Sequence, residues 1–351
     1  MPQPPIFKIT YWGVTGTLTA PLRPPEVTEK IVAAVCRLID KQKLERLRSG
    51  PGLERAVREA VDEGLTFAER STYGGNTTCV EVQTPDATLI LDCGSGLREL
   101  GMDLRRRWNA PDYDGARTAH VLMTHPHLDH ILAIPYAGPF YDPRNHFTLW
   151  GTRSVLESLA AVLSPVSPLS HTYFPPSFDL MTALKDIREL KAGEDFHIGS
   201  TRIRTQQLNH PGGCLAYRLE NSGRVFVFAT DHEHPEIPDA GLAEFARGAD
   251  VFYTDGQYLL IEYEGREGLR GEGPIDHRGW GHSTVEGCVS TAVAAGVREL
   301  HLGHRDPTRT DKSLEEIENY LQKCLEEQLH LAGRAGTCQA LIPYEGMTFR
   351  L

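Results

Sequence analysis

A short segment near the middle of the chain has an unusual composition, because His125, His127, Asp129 and His130 fall within six residues. The apolar run Val121–Met123 comes directly before it. In an extended segment, side chains two residues apart point the same way, so the imidazoles of His125 and His127 can reach one ion. Asp129 and His130 lie at the start of a predicted helix, where they could bind a second ion. Zinc favours nitrogen ligands and accepts carboxylates, so this spacing predicts a metal site.

Residues of metal-binding type also follow four other predicted strands. Asp92 follows the run TLIL, His210 follows TQQLN, Asp231 follows RVFVFAT and His304 follows ELHLG. Binding residues often lie on loops that a rigid scaffold positions, and neighbouring strand ends meet at one rim of a sheet. We therefore expect these residues near His125. Asp92 is expected to orient a ligand histidine rather than to bind metal, with a simple turn as the alternative.

A histidine and an aspartate elsewhere in the chain could move protons. His282 precedes the helical run VEGCVSTAVAAG, for which Ser283 is the expected cap and Glu286 completes a capping box. Asp255 follows another predicted strand, and a carboxylate beside His282 would orient it and raise its pKa, as a general acid requires. The alternatives are an ordinary capping-loop histidine and a turn aspartate before Gly256.

Three further side chains are weaker candidates. His232 and His234 are expected near the site rather than in it. Arg278 could contact a phosphate, although a solvated arginine is the simpler interpretation.

The elements that must position these residues are short strands that alternate with helices. A helical hairpin is predicted at about 26–63, with helices over Glu26–Arg48 and Leu53–Val61 on either side of a break at Ser49–Gly52. It is either a packing decoration or a cap or dimer contact. The loop Ser164–Phe178 is either a lid or an ordered surface crossing.

No linker divides the chain, so one domain is expected over residues 1–351. Ten strand-like runs are rich in β-branched and aromatic residues: IFKITYW, TCVEVQT, TLILD, AHVLMT, HFTLW, TRIRTQQL, CLAYRLE, RVFVFAT, DVFYT and ELHLG.

The composition limits the function classes. The chain has 351 residues, of which 40% are hydrophobic, and this favours a globular protein. Its net charge of −11 argues against a surface built to bind nucleic acid, although a bound metal could still attract an anionic substrate. Seven cysteines without a CxxC pair, no recognisable signal peptide and no membrane-length apolar run predict a reduced, cytoplasmic protein without membrane partners.

Together these residues resemble the metallo-β-lactamase superfamily. The segment from His125 to His130 resembles its HxHxDH motif, and the similarity runs from about Tyr73 to Pro307. The superfamily's other motifs are matched in order by Asp92, His210, Asp231 and His304.

A narrower resemblance is to the ribonuclease Z-like phosphodiesterases. GWGHST is similar to their His-Ser-Thr motif, and Asp255 falls where that group carries an acidic residue, usually glutamate. WGVTG and YGGNTTC resemble small-substrate phosphodiesterases, including those that hydrolyse cyclic nucleotides. Ribonuclease Z itself has a long tRNA-binding arm between the positions of His210 and Asp231, and only twenty residues separate them here.

The resemblance implies a fold of the α/β (α+β) class, a four-layer αββα sandwich with an inserted N-terminal helical hairpin. It implies two Zn²⁺ ions, with Mn²⁺ or Fe as alternatives. One ion is expected on His125, His127 and His210, the other on Asp129, His130 and His304, with Asp231 between them. A hydroxide between the metals would attack phosphorus, and Asp129, Asp255 and His282 are the expected catalytic residues.

The function expected from the resemblance is hydrolysis of a small phosphodiester, most specifically a 3′,5′-cyclic nucleotide. Three alternatives remain: an RNA 3′-processing endonuclease of ribonuclease Z type, a hydrolase of esters, lactones or thioesters, and a non-catalytic ligand-binding module. The expected partner is the small substrate, nucleic acid is not expected, and a homodimer is possible because related enzymes commonly dimerise.

Overall fold

Two mixed β-sheets of seven strands each form the centre of the computed structural model, which describes residues 7–41, 52–164, 177–269 and 274–351. In spatial order the first sheet contains β14 (Thr348–Arg350), β1 (Lys8–Gly13), β2 (Cys79–Gln83), β3 (Thr88–Leu91), β4 (Thr118–Leu122), β5 (His146–Thr152) and β6 (Leu184–Leu190). The second contains β13 (Gln339–Leu341), β12 (Glu299–Gly303), β11 (Val251–Asp255), β10 (Arg224–Ala229), β9 (Cys214–Asn221), β8 (Thr201–Leu208) and β7 (Asp195–Ile198).

The strand directions bring several strand ends to a common edge. Strands β3 to β6 are parallel, as are β10 to β13, whereas the other neighbouring pairs are antiparallel. Because β9 is antiparallel to both β8 and β10, β8 runs in the same direction as β10. The carboxyl ends of β8, β10, β11 and β12 therefore lie along one edge of the second sheet.

Successive side chains of the central strands alternate between an inner and an outer apolar core, and this explains why the two sheets pack face to face. In β11, Val251 and Tyr253 lie in the core between the sheets, whereas Phe252 lies in the core on the outer face. Successive side chains of a strand point to opposite faces, so a strand that is apolar throughout is buried on both sides. Strand β3 has the same pattern, with Leu89 and Leu91 inside and Ile90 outside.

Helices cover the two outer faces and complete the four layers. Side chains of α4 and α6 pack on the first sheet, and those of α7, α9 and α10 pack on the second. The predicted αββα architecture is thereby confirmed. The helices are α1 (Pro24–Asp40), α2 (Leu53–Gly64), α3 (Phe67–Arg70), α4 (Leu97–Trp108), α5 (Leu128–Ile131), α6 (Arg153–Leu163), α7 (Ala240–Phe245), α8 (Leu260–Tyr263), α9 (Val285–Ala295) and α10 (Asp311–Leu331).

Helices α1 and α2 occupy the predicted insertion after β1. They share a small core of their own, formed by Leu38, Ala60 and Leu65. Helix α1 begins two residues before the predicted Glu26, and the predicted helical residues 42–48 and the break after them lie outside the described residues except for Gly52. Most of the predicted loop 164–178 also lies outside them, since 165–176 are not described.

Within the described ranges, none of the helices combines the length and the apolar character that a membrane span requires.

Candidate metal centre

Three residues of the candidate centre follow strand ends in a left-handed backbone conformation. Asp92, Asp231 and His304 each lie within two residues of a strand end and adopt positive φ angles of 60°, 56° and 49°. Residues other than glycine rarely adopt this left-handed conformation, and such strain clusters at functional sites. These three residues therefore lie just beyond the carboxyl ends of their strands.

A first cluster contains His125, His127 and His210. One nitrogen from each ring lies within 4.8 Å of the others, and His210 Nε2 is 3.0 Å from His127 Nδ1. His125 is fully buried, whereas His127 is exposed, so this cluster is open to solvent on one side.

A second cluster contains Asp129, His130, Asp231 and His304, all buried. His304 Nε2 lies 3.1 Å from Asp129 Oδ2 and 3.1 Å from Asp231 Oδ1, and His130 Nε2 lies 3.2 Å from Asp231 Oδ2. Asp231 also faces the first cluster, with Oδ1 3.8 Å from His125 Nε2 and 3.9 Å from His210 Nε2. The Asp231 carboxylate therefore lies between the two groups.

The Nδ1 atoms of three histidines lie within hydrogen-bond distance of neighbouring oxygens. His130 Nδ1 lies 2.8 Å from Asp92 Oδ2, His210 Nδ1 donates to the Gly281 carbonyl at 2.8 Å, and His125 Nδ1 lies 3.0 Å from Thr124 Oγ1. Asp92 also accepts from the Thr124 amide and hydroxyl, each at 2.8 Å. These contacts fix the rings so that each Nε2 points inward, as in metal sites whose ligand histidines are oriented by oxygen acceptors.

The donor set fits divalent cations. His125 Nε2 is buried at the centre without a hydrogen-bond partner. His130 Nε2 and His304 Nε2 lie 3.3 Å apart, and each is within 3.2 Å of oxygens of Asp129 and Asp231. Buried polar atoms are normally paired, and a cation between these nitrogens and carboxylates would satisfy them. The fold implies divalent metal ions, and these residues have the composition to bind them.

Burial and charge act differently on the two clusters. Burial opposes the charged ring of His130 and His304, yet the neighbouring carboxylates raise the pKa of His130 well above its usual value and that of His304 to about 9, so both rings would release a proton on binding a metal. Burial lowers the pKa of His125 well below its usual value and lowers the pKa of His210, which favours the neutral imidazole that binds metal. Burial opposes ionisation of Asp231, yet the neighbouring His304, His130 and His125 hold its pKa well below the usual range. Asp231 is therefore a carboxylate at neutral pH.

The His282–Asp255 pair lies beside the second cluster. His282 Nδ1 is 2.6 Å from Asp255 Oδ2, and the His282 and His304 rings stack with centroids 5.0 Å apart. Ligand-type atoms of Asp255, His282 and His304 also lie within 4.8 Å of one another, as do those of His210, Asp231 and His282. The pair is thus part of the same cleft.

The weaker candidates lie outside the clusters. His232 Nε2 lies 2.7 Å from Asp239 Oδ2, and the Asn209 amide donates to its Nδ1. His234 is largely enclosed, and burial lowers its pKa to about 3. Arg278 is exposed and paired with Asp276 at the surface.

The predicted capping box before α9 is wrong. Thr284 is the cap, because its backbone is extended and its hydroxyl accepts from the Gly287 amide at 3.0 Å. The Ser283 hydroxyl instead donates to the His232 carbonyl, and the Glu286 carboxylate accepts from the Leu260 amide at 2.9 Å. Both predicted capping side chains therefore bind neighbouring segments.

Two residues of the site went unnoticed in the sequence. The Thr17 amide donates to Asp129 Oδ2 at 2.8 Å from a backbone with φ of 64°, which is strained for a β-branched residue. The Glu233 carboxylate accepts from the Gly279 and Gly281 amides on the loop before His282. The motif WGVTG, which ends at Gly16 directly before Thr17, was a nearby signal in the sequence, whereas the type and spacing of Glu233 gave none.

Comparison with known proteins shows the family to which the chain belongs. A family model described as a β-lactamase superfamily domain matches residues 87–305. The chain is 30% identical over 182 residues to a ribonuclease of Thermus thermophilus, a match that covers 48% of this chain and 38% of that protein. It is 22% identical over 286 residues to ribonuclease Z of Thermoplasma acidophilum, covering 71% of this chain and 87% of the relative.

The chain spans only 38% of the length of the Thermus thermophilus ribonuclease, and between 22% and 36% of three further relatives named transcription termination factor FttA. Among solved structures, the metallo-β-lactamase fold protein YhfI from Bacillus subtilis superposes with a TM-score of 0.59 at 15% identity. That superposition covers 99% of this chain and 100% of YhfI, so the two proteins share a fold.

Proposed function

This chain belongs to the β-lactamase superfamily with the metallo-β-lactamase fold, and on that premise we propose that it is a binuclear metal-dependent phosphodiesterase. The observation that carries the proposal is the pair of adjoining clusters that meet at Asp231. Two-metal sites are typical of enzymes that displace an oxygen at phosphorus.

Seven residues would hold the metals. His125, His127 and His210 would bind one cation, Asp129, His130 and His304 the other, and Asp231 both. When bound, such cations make a water more acidic and neutralise charge on phosphoryl oxygens. Asp92 would keep Nδ1 of His130 protonated, so that Nε2 stays available as a ligand.

His282 would supply the proton for the departing alkoxide. Because its Nδ1 faces Asp255, the ring is oriented with Nε2 as the atom that can donate to a substrate. The buried Asp255 carboxylate, 2.6 Å from Nδ1, holds the ring in place, as a positioned general acid requires. Asp129, whose carboxylate contacts His130 and His304, completes the expected catalytic group.

The proposed substrate is a small phosphodiester, and most specifically a 3′,5′-cyclic nucleotide. Its support is the GWGHST, WGVTG and YGGNTTC sequences, the short His210–Asp231 segment and the net charge of −11. The test is a turnover screen of the zinc-loaded protein with cyclic mononucleotides, cyclic dinucleotides, 2′,3′-cyclic nucleotides and precursor tRNA. Turnover of a cyclic nucleotide and none of precursor tRNA is the expected result.

An RNA-cleaving nuclease is the second candidate. Its support is the similarity over 87% of ribonuclease Z of Thermoplasma acidophilum and the match to a ribonuclease of Thermus thermophilus. Cleavage of precursor tRNA in the same screen, without hydrolysis of cyclic nucleotides, would decide for this candidate.

We also propose a homodimer that forms through α1, in a reducing, cytoplasmic setting. Support for the dimer is the row of apolar side chains that α1 exposes, Val27, Ile31, Val32, Val35 and Ile39. Exposed apolar surface of this kind often marks an interaction site. Support for the setting is that all seven cysteines, each within the described ranges, are free thiols.

A further inference from the structure

We propose that Trp280 is a stacking platform for the nucleobase of the substrate, at the rim of the metal centre. This inference rests on the proposed function, which it deepens by requiring a substrate that carries a planar base. It follows from where Trp280 lies, how its loop is fixed and how much of its indole is exposed.

The backbone beside Trp280 lies against a metal-ligand candidate. The Gly281 carbonyl accepts from His210 Nδ1 at 2.8 Å, and Gly281 has a φ of 88°. A side chain at this position would place its Cβ 2.2 Å from His210 Nδ1. Only glycine therefore allows this approach, and it holds the backbone next to Trp280 against His210, with His282 two residues further along the chain.

The loop that carries Trp280 is clamped on both sides of the tryptophan. Glu233 Oε1 accepts from the Gly279 amide at 2.7 Å, and Oε2 accepts from the Gly281 amide at 2.8 Å. The Tyr263 hydroxyl donates to Oε1 at 2.5 Å. One carboxylate thus fixes the peptide units before and after Trp280, so the indole starts from a fixed backbone.

The indole is supported on one side and accessible on another. His277 meets it nearly at a right angle, with ring centroids 4.8 Å apart and planes at 71°. His277 in turn stacks on Tyr258 at 4.3 Å, and Tyr258 lies 6.2 Å from the His282 ring. Trp280 nevertheless remains 52% exposed, in contrast to the 4% of Trp108.

A fixed and exposed indole beside a phosphodiester site suits a planar base. Aromatic side chains bind bases of any sequence by stacking, because every base has a π-face, and removing one such contact typically weakens binding roughly 5- to 150-fold. A phosphate at the metal centre would leave the attached nucleoside near the rim where Trp280 lies. Stacking on Trp280 would therefore contribute to recognition of the base.

The test compares two probes that differ only by the base. Adenosine 5′-monophosphate and ribose 5-phosphate are titrated calorimetrically into the zinc-loaded full chain, and the ratio of their dissociation constants is measured within each protein. We expect the wild type to bind the nucleotide at least about 5-fold more tightly. Trp280→Ala should bring the ratio close to one, whereas Trp280→Phe should retain most of it.

Two further variants keep the result interpretable. Tyr320→Ala removes another partly exposed aromatic ring, 38% exposed and located on the outer helix α10, and should leave the ratio unchanged. If circular dichroism shows that the alanine variant does not fold, it is replaced by Trp280→Leu, which keeps the bulk of the side chain but not its aromaticity. A wild-type ratio in either leucine or alanine variant overturns the platform.

Failure of the platform differs from failure of the proposed function. If the wild type hydrolyses bis-p-nitrophenyl phosphate but binds both probes equally, the platform is wrong and the phosphodiesterase stands. If no phosphodiester is hydrolysed, the proposed function fails and the platform fails with it.

Discussion

At the scale of single residues, the main finding is a backbone donor aimed at a metal-ligand candidate. Thr17 adopts a left-handed conformation that costs of order 1–3 kcal/mol, and its amide donates to Asp129 Oδ2 at 2.8 Å. The Thr17 hydroxyl also accepts from Gln257 Nε2 at 3.3 Å. The strained conformation of Thr17 therefore directs its amide at the Asp129 carboxylate and helps to orient it.

Removing the Thr17 amide should weaken metal binding. Thr17→Pro lacks the donor and cannot adopt the positive φ, so we expect metal affinity to fall about 10- to 100-fold, as for other contacts that orient ligands. Thr17→Gly keeps the donor and relieves the strain, so its affinity should stay within about 3-fold of the wild type. Competition with a chromogenic chelator measures both, and an unchanged proline variant would refute the role of Thr17.

His282 is expected to act on protons rather than on metal. His282→Ala should retain the metal content of the wild type and lower kcat by about 10²–10⁴-fold. Asp255→Asn, which keeps the shape but not the charge, should also lower kcat. Elemental analysis and steady-state kinetics on the same preparations separate the two effects, and full activity of His282→Ala would exclude it as the acid.

The sequence predicted the ligand-type residues of the site better than the residues that orient them. The i, i+2 spacing predicted His125 and His127, and the place of His210 after a strand-like run predicted the third histidine; in the structure one nitrogen from each lies within 4.8 Å of the others. Thr17 and Glu233 act through backbone geometry and hydrogen bonds to amides. Such roles depend on the path of the chain rather than on residue type.

At the scale of elements, the N-terminus of α9 is capped by Thr284 and not by Ser283, which the sequence predicted. Thr284→Ala removes the hydroxyl that accepts from the Gly287 amide and should lower the free energy of unfolding by about 1 kcal/mol. Urea denaturation followed by circular dichroism measures this. Thr284→Ser, which keeps the hydroxyl, is the matched control, and equal stability of the wild type and the alanine variant would contradict the assigned cap.

Edge position explains which strands the sequence did not reveal. All ten predicted runs form strands, whereas β6, β7, β13 and β14 were not predicted, and these four are the outermost strands of the two sheets. Edge strands are commonly short or carry charged side chains, which prevents pairing with other chains. Strand β6 reads LKDIREL and is largely exposed, and β13 and β14 have three residues each.

At the scale of the whole molecule, the exposed face of α1 carries the proposal of a dimer. Ile31 is 60% exposed at the centre of that face, so Ile31→Glu should disrupt an interface there. We expect sedimentation equilibrium at micromolar concentration to give a dimer for the wild type and a monomer for the variant. Arg55→Gln, on the exposed surface of α2, also changes the charge by −1 and is the matched charge control, and a monomeric wild type would refute the interface.

The measurement that tests the central claim most directly is the metal stoichiometry of active protein, located by anomalous scattering from its crystals. We expect two ions per chain on either side of Asp231, and Asp231→Ala should lose both metal and activity together. An active preparation with no metal in this cleft, or with a single ion, would contradict the account.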